Sequence, residues 1–139
     1  MKKIIAKSKR PEAERAAEWV CMELLGCTHT RRALRTKFAK VDFFGCDVIG
    51  VRADGRRVWV QVTAGQVAAV LTRRKKLEAY PWHPTDQVFV WQLVERQDIA
   101  NPSSKEWFFR VWEYQYGTWT DNRKPIKIDK KWFKAYKSI

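Results

Sequence analysis

Between Lys40 and Gly65 the chain reads KVDFFGCDVIGVRADGRRVWVQVTAG, with Asp42 and Asp47 ahead of one apolar run and Gln61 and Thr63 at the end of the next. Carboxylate and amide oxygens are hard ligands, suited to a divalent ion such as Mg²⁺ or Mn²⁺ that keeps several of its waters. Whether Asp47 and Gln61 can meet depends on the turn at Ala53-Asp54-Gly55-Arg56. A two-residue turn at Asp54-Gly55 pairs Ala53 with Arg56 and sets Asp47 against Val62, so that Asp47 and Gln61 leave the sheet on opposite sides. A three-residue loop, with Gly55 left-handed in a bulge, pairs Arg52 with Arg56 and sets Asp47 against Gln61, Cβ atoms about 4.5–5.5 Å apart. In that register Val48, Val58, Val60 and Val62 form one apolar face, and Asp47, Gln61 and Thr63 gather at one end of the other. The plainer reading is that these are polar strand ends meeting water. Asp42 either supports a ligand from behind or caps its own loop.

The other reactive side chains carry less. Cys21, Cys27 and Cys46 leave one thiol over in any disulfide scheme and show no paired zinc spacing, so they read as small core residues in a reducing compartment. His29 and His83 are isolated and read as surface or packing residues. The formal charge is +13 on 139 residues, which attracts polyanions, nucleic acid before an anionic membrane. Apolar runs such as Val67 to Leu71 are far too short to cross a bilayer, and MKKIIAKSKR lacks an apolar export core, so a cytoplasmic protein is expected. Eight Trp and 45% hydrophobic residues suit one packed domain over 1–139.

The elements that must position these groups are legible from periodicity. Pro11 suits a first helical turn and Gly26 a stop, with Ala13, Ala17, Val20 and Leu24 on one stripe, which predicts a helix from about Glu12 to Leu25. THTRRAL is a candidate strand, and RRALRTKFAK is either a solvated basic edge or a phosphate-contacting segment through Arg31, Arg32, Arg35, Lys37 and Lys40. After the hairpin, Gly65 to Tyr80 predicts a second helix bearing Val67, Val70, Leu71 and Leu77, stopped by PWHPTD. QVFVWQLV and EWFFRVWEY are the next strands, and a short helix is expected near Asp129 to Tyr136. The order describes a mixed α/β chain.

Helix, Asp-bearing hairpin and second helix together resemble the PD-(D/E)XK nuclease superfamily. Asp47 matches its hairpin Asp, and Gln61 the Glu or Gln that follows on the next strand. Ala13-Glu14-Arg15 is similar to the AER of archaeal-type Holliday-junction resolvases, and DFFGCDVIGV, VWVQVTAG and RRKKL look like a phage and bacterial subgroup in which QVT replaces the Glu-x-Lys ending. The resemblance spans roughly residues 11–95. It implies a restriction-endonuclease-like core, a mixed central sheet with helices on both faces. It also implies Glu14 as a further metal ligand, with Glu18 as the fallback.

Thr63 stands where the family carries its catalytic Lys, so Lys76, with Arg73 one turn earlier, becomes the replacement. TRRKK reads equally as a DNA-facing helix end through Arg73 and Lys75. The implied activity is Mg²⁺-dependent phosphodiester hydrolysis in branched DNA, by a homodimer because a junction is cut in two strands. Aromatics of the C-terminal third either supply that interface or fill the core. The alternatives are an inactive nuclease fold that only binds DNA, and a single-strand nucleic-acid-binding module that stacks bases on strand aromatics.

Overall fold

The computed structural model describes residues 2–4, 10–35, 40–41, 43–64, 67–97 and 105–128. In chain order the elements are β1 (Lys2–Ile4), α1 (Arg10–Glu23), β2 (Cys27–Arg32), β3 (Leu34–Arg35), β4 (Lys40–Val41), β5 (Val48–Arg52) and β6 (Arg57–Thr63), then α2 (Val67–Leu77), β7 (Gln87–Gln97), β8 (Lys105–Gln115) and β9 (Thr118–Ile128). The chain is mixed α/β: a seven-stranded mixed sheet runs β2-β5-β6-β7-β8-β9, with β1 alongside β7, and β3 and β4 form a separate two-stranded piece. Among the pairings of the described residues only β6 with β7 is parallel, as a strand–helix–strand crossover through α2 allows. The helix expected near Asp129 to Tyr136 lies outside the described residues. No helix among the described residues is long and apolar enough to cross a membrane.

The hairpin adopts the three-residue register. Val48 pairs with Val60, Ile49 with Trp59, Gly50 with Val58 and Val51 with Arg57. Arg52 N–H donates to Arg56 O at 2.9 Å and Gly55 N–H to Arg52 O at 2.9 Å, closing the loop over Ala53 and Asp54. Asp54 Oδ1 accepts the Arg56 N–H at 3.0 Å, holding the loop from its side chain. Gly55 sits at φ 86, a left-handed conformation in which a Cβ would crowd the following carbonyl.

Alternation along β6 sorts its residues into two sets. Val58, Val60 and Val62 join a core cluster with Ala13, Ala16, Ala17 and Val20 of α1, where the small alanines let the helix backbone come close. Each of these fully buried valines contributes roughly 1.5–3 kcal/mol. A second cluster joins Val70 and Leu77 of α2 to Val88 and Val90 of β7, with Trp59 packed on its flank. In the C-terminal third, Trp107, Phe108, Phe109 and Trp112 are buried within the chain. These four rings fill the protein's own core, whereas Tyr116 of the same region is exposed, and Trp132, Phe133 and Tyr136 lie outside the described residues.

Two strands of the seven-stranded sheet lacked a sequence signal. In β9, TWTDNRKPIKI breaks alternation, and Pro125 forbids a ladder donor; it is tolerated because β9 is a sheet edge and the pairing slips between Phe109 and Val111. β1 has three residues and depends wholly on β7 for its ladder. Because the loop conformation fixes the register, Gly55→Ala should destabilise the protein by about 1–2 kcal/mol in urea unfolding, and Gly55→Asn by markedly less, since Asn tolerates the left-handed region.

Candidate functional site

Ahead of β5 the chain makes a tight turn: Phe43 N–H donates to Cys46 O at 3.0 Å and Cys46 N–H to Phe43 O at 2.9 Å. Asp47 follows directly. Its N–H donates to Val60 O at 2.8 Å and its carboxylate Oδ2 accepts the Val62 N–H at 2.8 Å. Val60 O is the carbonyl opposite Val48, so the ladder slips at this point and the Asp47 side chain replaces the next rung. Asp47 is therefore fastened to the residues on either side of Gln61. The expected direct rung opposite Gln61 gives way to this bracket, because a carboxylate is a better acceptor for a buried N–H than a displaced carbonyl. Its own carbonyl accepts the Ala33 N–H at 2.7 Å, which ties β2's end to the same point.

The polar residues are not strand ends in water. Asp47 is 0% exposed and Gln61 3%, and Thr63 is buried beside them. Gln61 and Thr63 follow Trp59 on alternate positions of β6, and the parallel register sets Gln61 beside Val90 and Thr63 beside Gln92. Gln92 is buried as well, and Arg110 of β8 lies across from it. The result is a row of polar side chains running across three strands. Gln61 Oε1 is buried with no hydrogen-bond partner among the described residues, as is the Nε1 of Trp59. An orphaned buried acceptor costs about 1–3 kcal/mol, so a chain selected for stability alone would place an apolar residue there.

The helices supply the charged groups. On α1, Glu14 is buried next to Ala13, whereas Glu18, one turn on, accepts the Thr30 hydroxyl at 2.8 Å and an ion pair from Arg32 Nε at 3.1 Å. Glu18 is thus committed to the edge strand, and Glu14 is the acid of α1 that is drawn inside. On α2, Val70, Arg73 and Leu77 form one stripe by their spacing, and Arg73 is half-buried with its Nε lacking a partner among the described residues. Arg73 was expected either to stand with Lys76 in place of the missing Lys or to face phosphate; its Nε is buried on this stripe. Arg74 lies over the Trp119 ring at 5.0 Å, and Lys75 is exposed. The Cε of Lys76 would lie 3.7 Å from a Cβ built on Gly45, which brings its stem against the turn that precedes Asp47.

The remaining expected contacts are dispersed. Arg31 is exposed on β2 opposite Ile49, and Arg32 is paired with Glu18. Arg35 and Lys40 face each other in the β3–β4 ladder, and Lys37 and Asp42 lie outside the described residues. His29 shares a 3.0 Å hydrogen bond with Thr28 and His83 a 2.8 Å one with Thr85, both at the surface, as isolated histidines usually are. Cys21, Cys27 and Cys46 are free and buried; Cys27 beside it and burial push the Cys21 thiol well above its ordinary range. Gln92 and Arg110 escaped the sequence reading. A glutamine inside the apolar run VFVWQLV was the available signal, but its alignment with Thr63 exists only once β7 pairs parallel to β6.

Asp47 and the Gln61 amide oxygen, which has no partner among the described residues, are hard donors of the kind a divalent ion takes, whereas Glu14 sits on α1, the helix packed on the valine face of β6. Among the described residues no group of three or more His, Cys, Asp or Glu converges as a metal site, so any ion here depends on Gln61 and water for part of its shell. If Gln61 is held for function at a cost in stability, Gln61→Met should raise the unfolding free energy by about 1–2 kcal/mol, and Asp47→Ala should lower it by about 1–3 kcal/mol by orphaning the Val62 N–H. Paired urea titrations measure both. Comparison with known proteins finds no matching family model, no matching curated protein and no matching solved structure.

Proposed function

We propose that the chain is a Mg²⁺- or Mn²⁺-dependent endodeoxyribonuclease that cuts branched DNA in the manner of a Holliday-junction resolvase, acting as a homodimer in the cytoplasm. One observation carries this reading: Asp47 is bonded to Val60 and Val62 on either side of Gln61, whose buried Oε1 has no hydrogen-bond partner among the described residues. The proposed core is restriction-endonuclease-like, a mixed central sheet with helices on both faces. Support comes from alternation: α1 clusters with the even-numbered valines of β6, and α2 with Val88 and Val90, which align with Trp59 and Gln61. Three buried free thiols suit a reducing compartment.

Asp47, Gln61 and Glu14 are the residues that would hold the ion. When bound, it supplies Lewis-acid stabilisation of charge on the phosphate and an acidified water. Lys76 takes the part of the Lys missing at Thr63, its ammonium orienting the attacking water or a phosphate oxygen from the next helix. Arg31 and Lys75, both exposed, hold flanking phosphates. Two copies related by a two-fold axis would present two such sites to the two strands of a junction.

A second reading is favoured by a specific observation. Asp47 is fully buried and one carboxylate oxygen serves the Val62 N–H, the behaviour of a structural acid in a fold that binds DNA without cutting it.

Incubation of the purified protein with a four-way junction, a flap and a linear duplex, in Mg²⁺, Mn²⁺ or EDTA, separates the two. Metal-dependent cutting of the branched substrates, abolished in Asp47→Asn and slowed about a hundredfold in Lys76→Met with junction binding little changed, is the expected result. Binding without cutting under every metal condition would leave the DNA-binding reading. With Arg31 and Lys75 of both copies each on a phosphate, log affinity should fall against log salt with a slope of roughly −4.

A further inference from the structure

Two tight turns each carry an aromatic residue where a ring is unfavourable twice over. In the Phe43–Cys46 turn both central residues are left-handed, Phe44 at φ 52 and Gly45 at φ 86. Two-residue connections of this hand favour Asn-Gly, because a bulky side chain at the first position crowds its own backbone. The β8–β9 connection repeats the arrangement between Gln115 and Thr118, with Tyr116 at φ 53 and Gly117 at φ 76. Phe44 is 60% exposed and Tyr116 84%. Neither ring is buried in the core, so strain and exposed apolar surface are both tolerated at these two positions. Observed outliers of this kind point towards function.

The rings lie along one connected surface. Phe44 meets Trp59 and Tyr80 edge-on at centroid distances of 5.8 and 5.9 Å, and Trp82 continues the set at 5.3 Å from Trp59 and 5.6 Å from Tyr80. Beyond Trp82 opens a groove of about 310 Å³ between Tyr80–Asp86 and Tyr114–Gly117, with Tyr116 on its far rim. Cations border this surface: Arg56 Nε donates to Thr85 O at 3.3 Å, and Lys76 lies against Gly45. The chain as a whole carries +13. Flat rings beside positive charge are what an unpaired nucleotide requires, its base stacking while its phosphate is neutralised.

We propose that this ring-lined groove and the rings adjoining it are a stacking site for an unpaired base of a DNA strand, with Tyr116 lining the groove and Phe44 exposed against Tyr80 beside it. The proposal rests on the reading above only in taking that base from a branch point. Phe44 lies three residues before Asp47, so a base held there would set the distance from the branch to the candidate site.

The test uses the full chain in EDTA, so that nothing is cut, with a flap carrying 2-aminopurine at its first unpaired position and a continuous duplex carrying the same label. The flap fluorescence should be quenched on binding and the duplex fluorescence should not. Phe44→Asn and Tyr116→Asn place a residue that accepts the left-handed conformation, so both variants should fold with thermal midpoints unchanged or raised. Each should lose about tenfold in affinity for the flap, lose much of the quench, and bind the duplex as the parent does. Parent-like quench and flap affinity in both variants would overturn the proposal, as would an equal loss on flap and duplex. Cutting is scored separately in Mg²⁺: a chain that cuts flaps without quenching the label retires the groove and leaves the nuclease reading, and quenching without cutting does the reverse.

Discussion

The bond from the Val62 N–H to the Asp47 carboxylate fastens the hairpin end so that an acid is held at the backbone beside Gln61. A buried N–H without an acceptor would cost about 1–3 kcal/mol, and the slip of the ladder at Val60 leaves Val62 without its regular carbonyl. The carboxylate fills that place. Everything at this end then depends on the far end of the same hairpin, where Gly55 and Asp54 set a loop of three residues. With one residue fewer, every side chain of the strand would exchange faces, and the valines that pack on α1 would exchange with the polar set.

The surface that β6 and β7 turn away from α1 carries a conflict between stability and something else. Trp59, Gln61, Thr63 and Gln92 are interleaved with valines, and α2 contributes Arg73 from its buried stripe. On the α1 side alanines pack against valines, and the buried polar groups among the described residues are fewer: Glu14 and the Trp91 indole N–H. Natural sequences are locally consistent except where function imposes otherwise, so a polar row between buried valines is itself informative.

Much of this was legible in the residues and some was not, for identifiable reasons. Both helices, β2, the hairpin strands, β7 and β8 follow from apolar spacing and from glycine and proline punctuation. The register was reduced to two alternatives by counting around Ala53-Asp54-Gly55, and only coordinates decide between them. β9 was hidden because Asp121, Asn122 and Pro125 read as a loop, and an edge strand with a bulge is where such residues are tolerated. Gln92 and Arg110 could not be found from the chain alone, because their relation to Thr63 is created by a parallel pairing and then an antiparallel one. The four consecutive basic residues from Arg73 to Lys76 hide which of them lies on the stripe with Val70 and Leu77, a distinction that only the helix's packing makes.

The turn before Asp47 links the two proposed activities physically. Phe43 and Cys46 exchange both backbone hydrogen bonds, which leaves the two residues between them no freedom and fixes where the chain enters β5. The left-handed Phe44-Gly45 pair that lifts the ring into solvent is the same pair against which Lys76 and Tyr80 pack, and it delivers Asp47 to the backbone of β6. A load on the ring is therefore borne by the segment that carries the acid. Were a base to stack on Phe44, it would bear on the turn that leads through Cys46 into Asp47. Recognition and chemistry would then share one rigid loop, and a strained ring at its tip is what such sharing would demand.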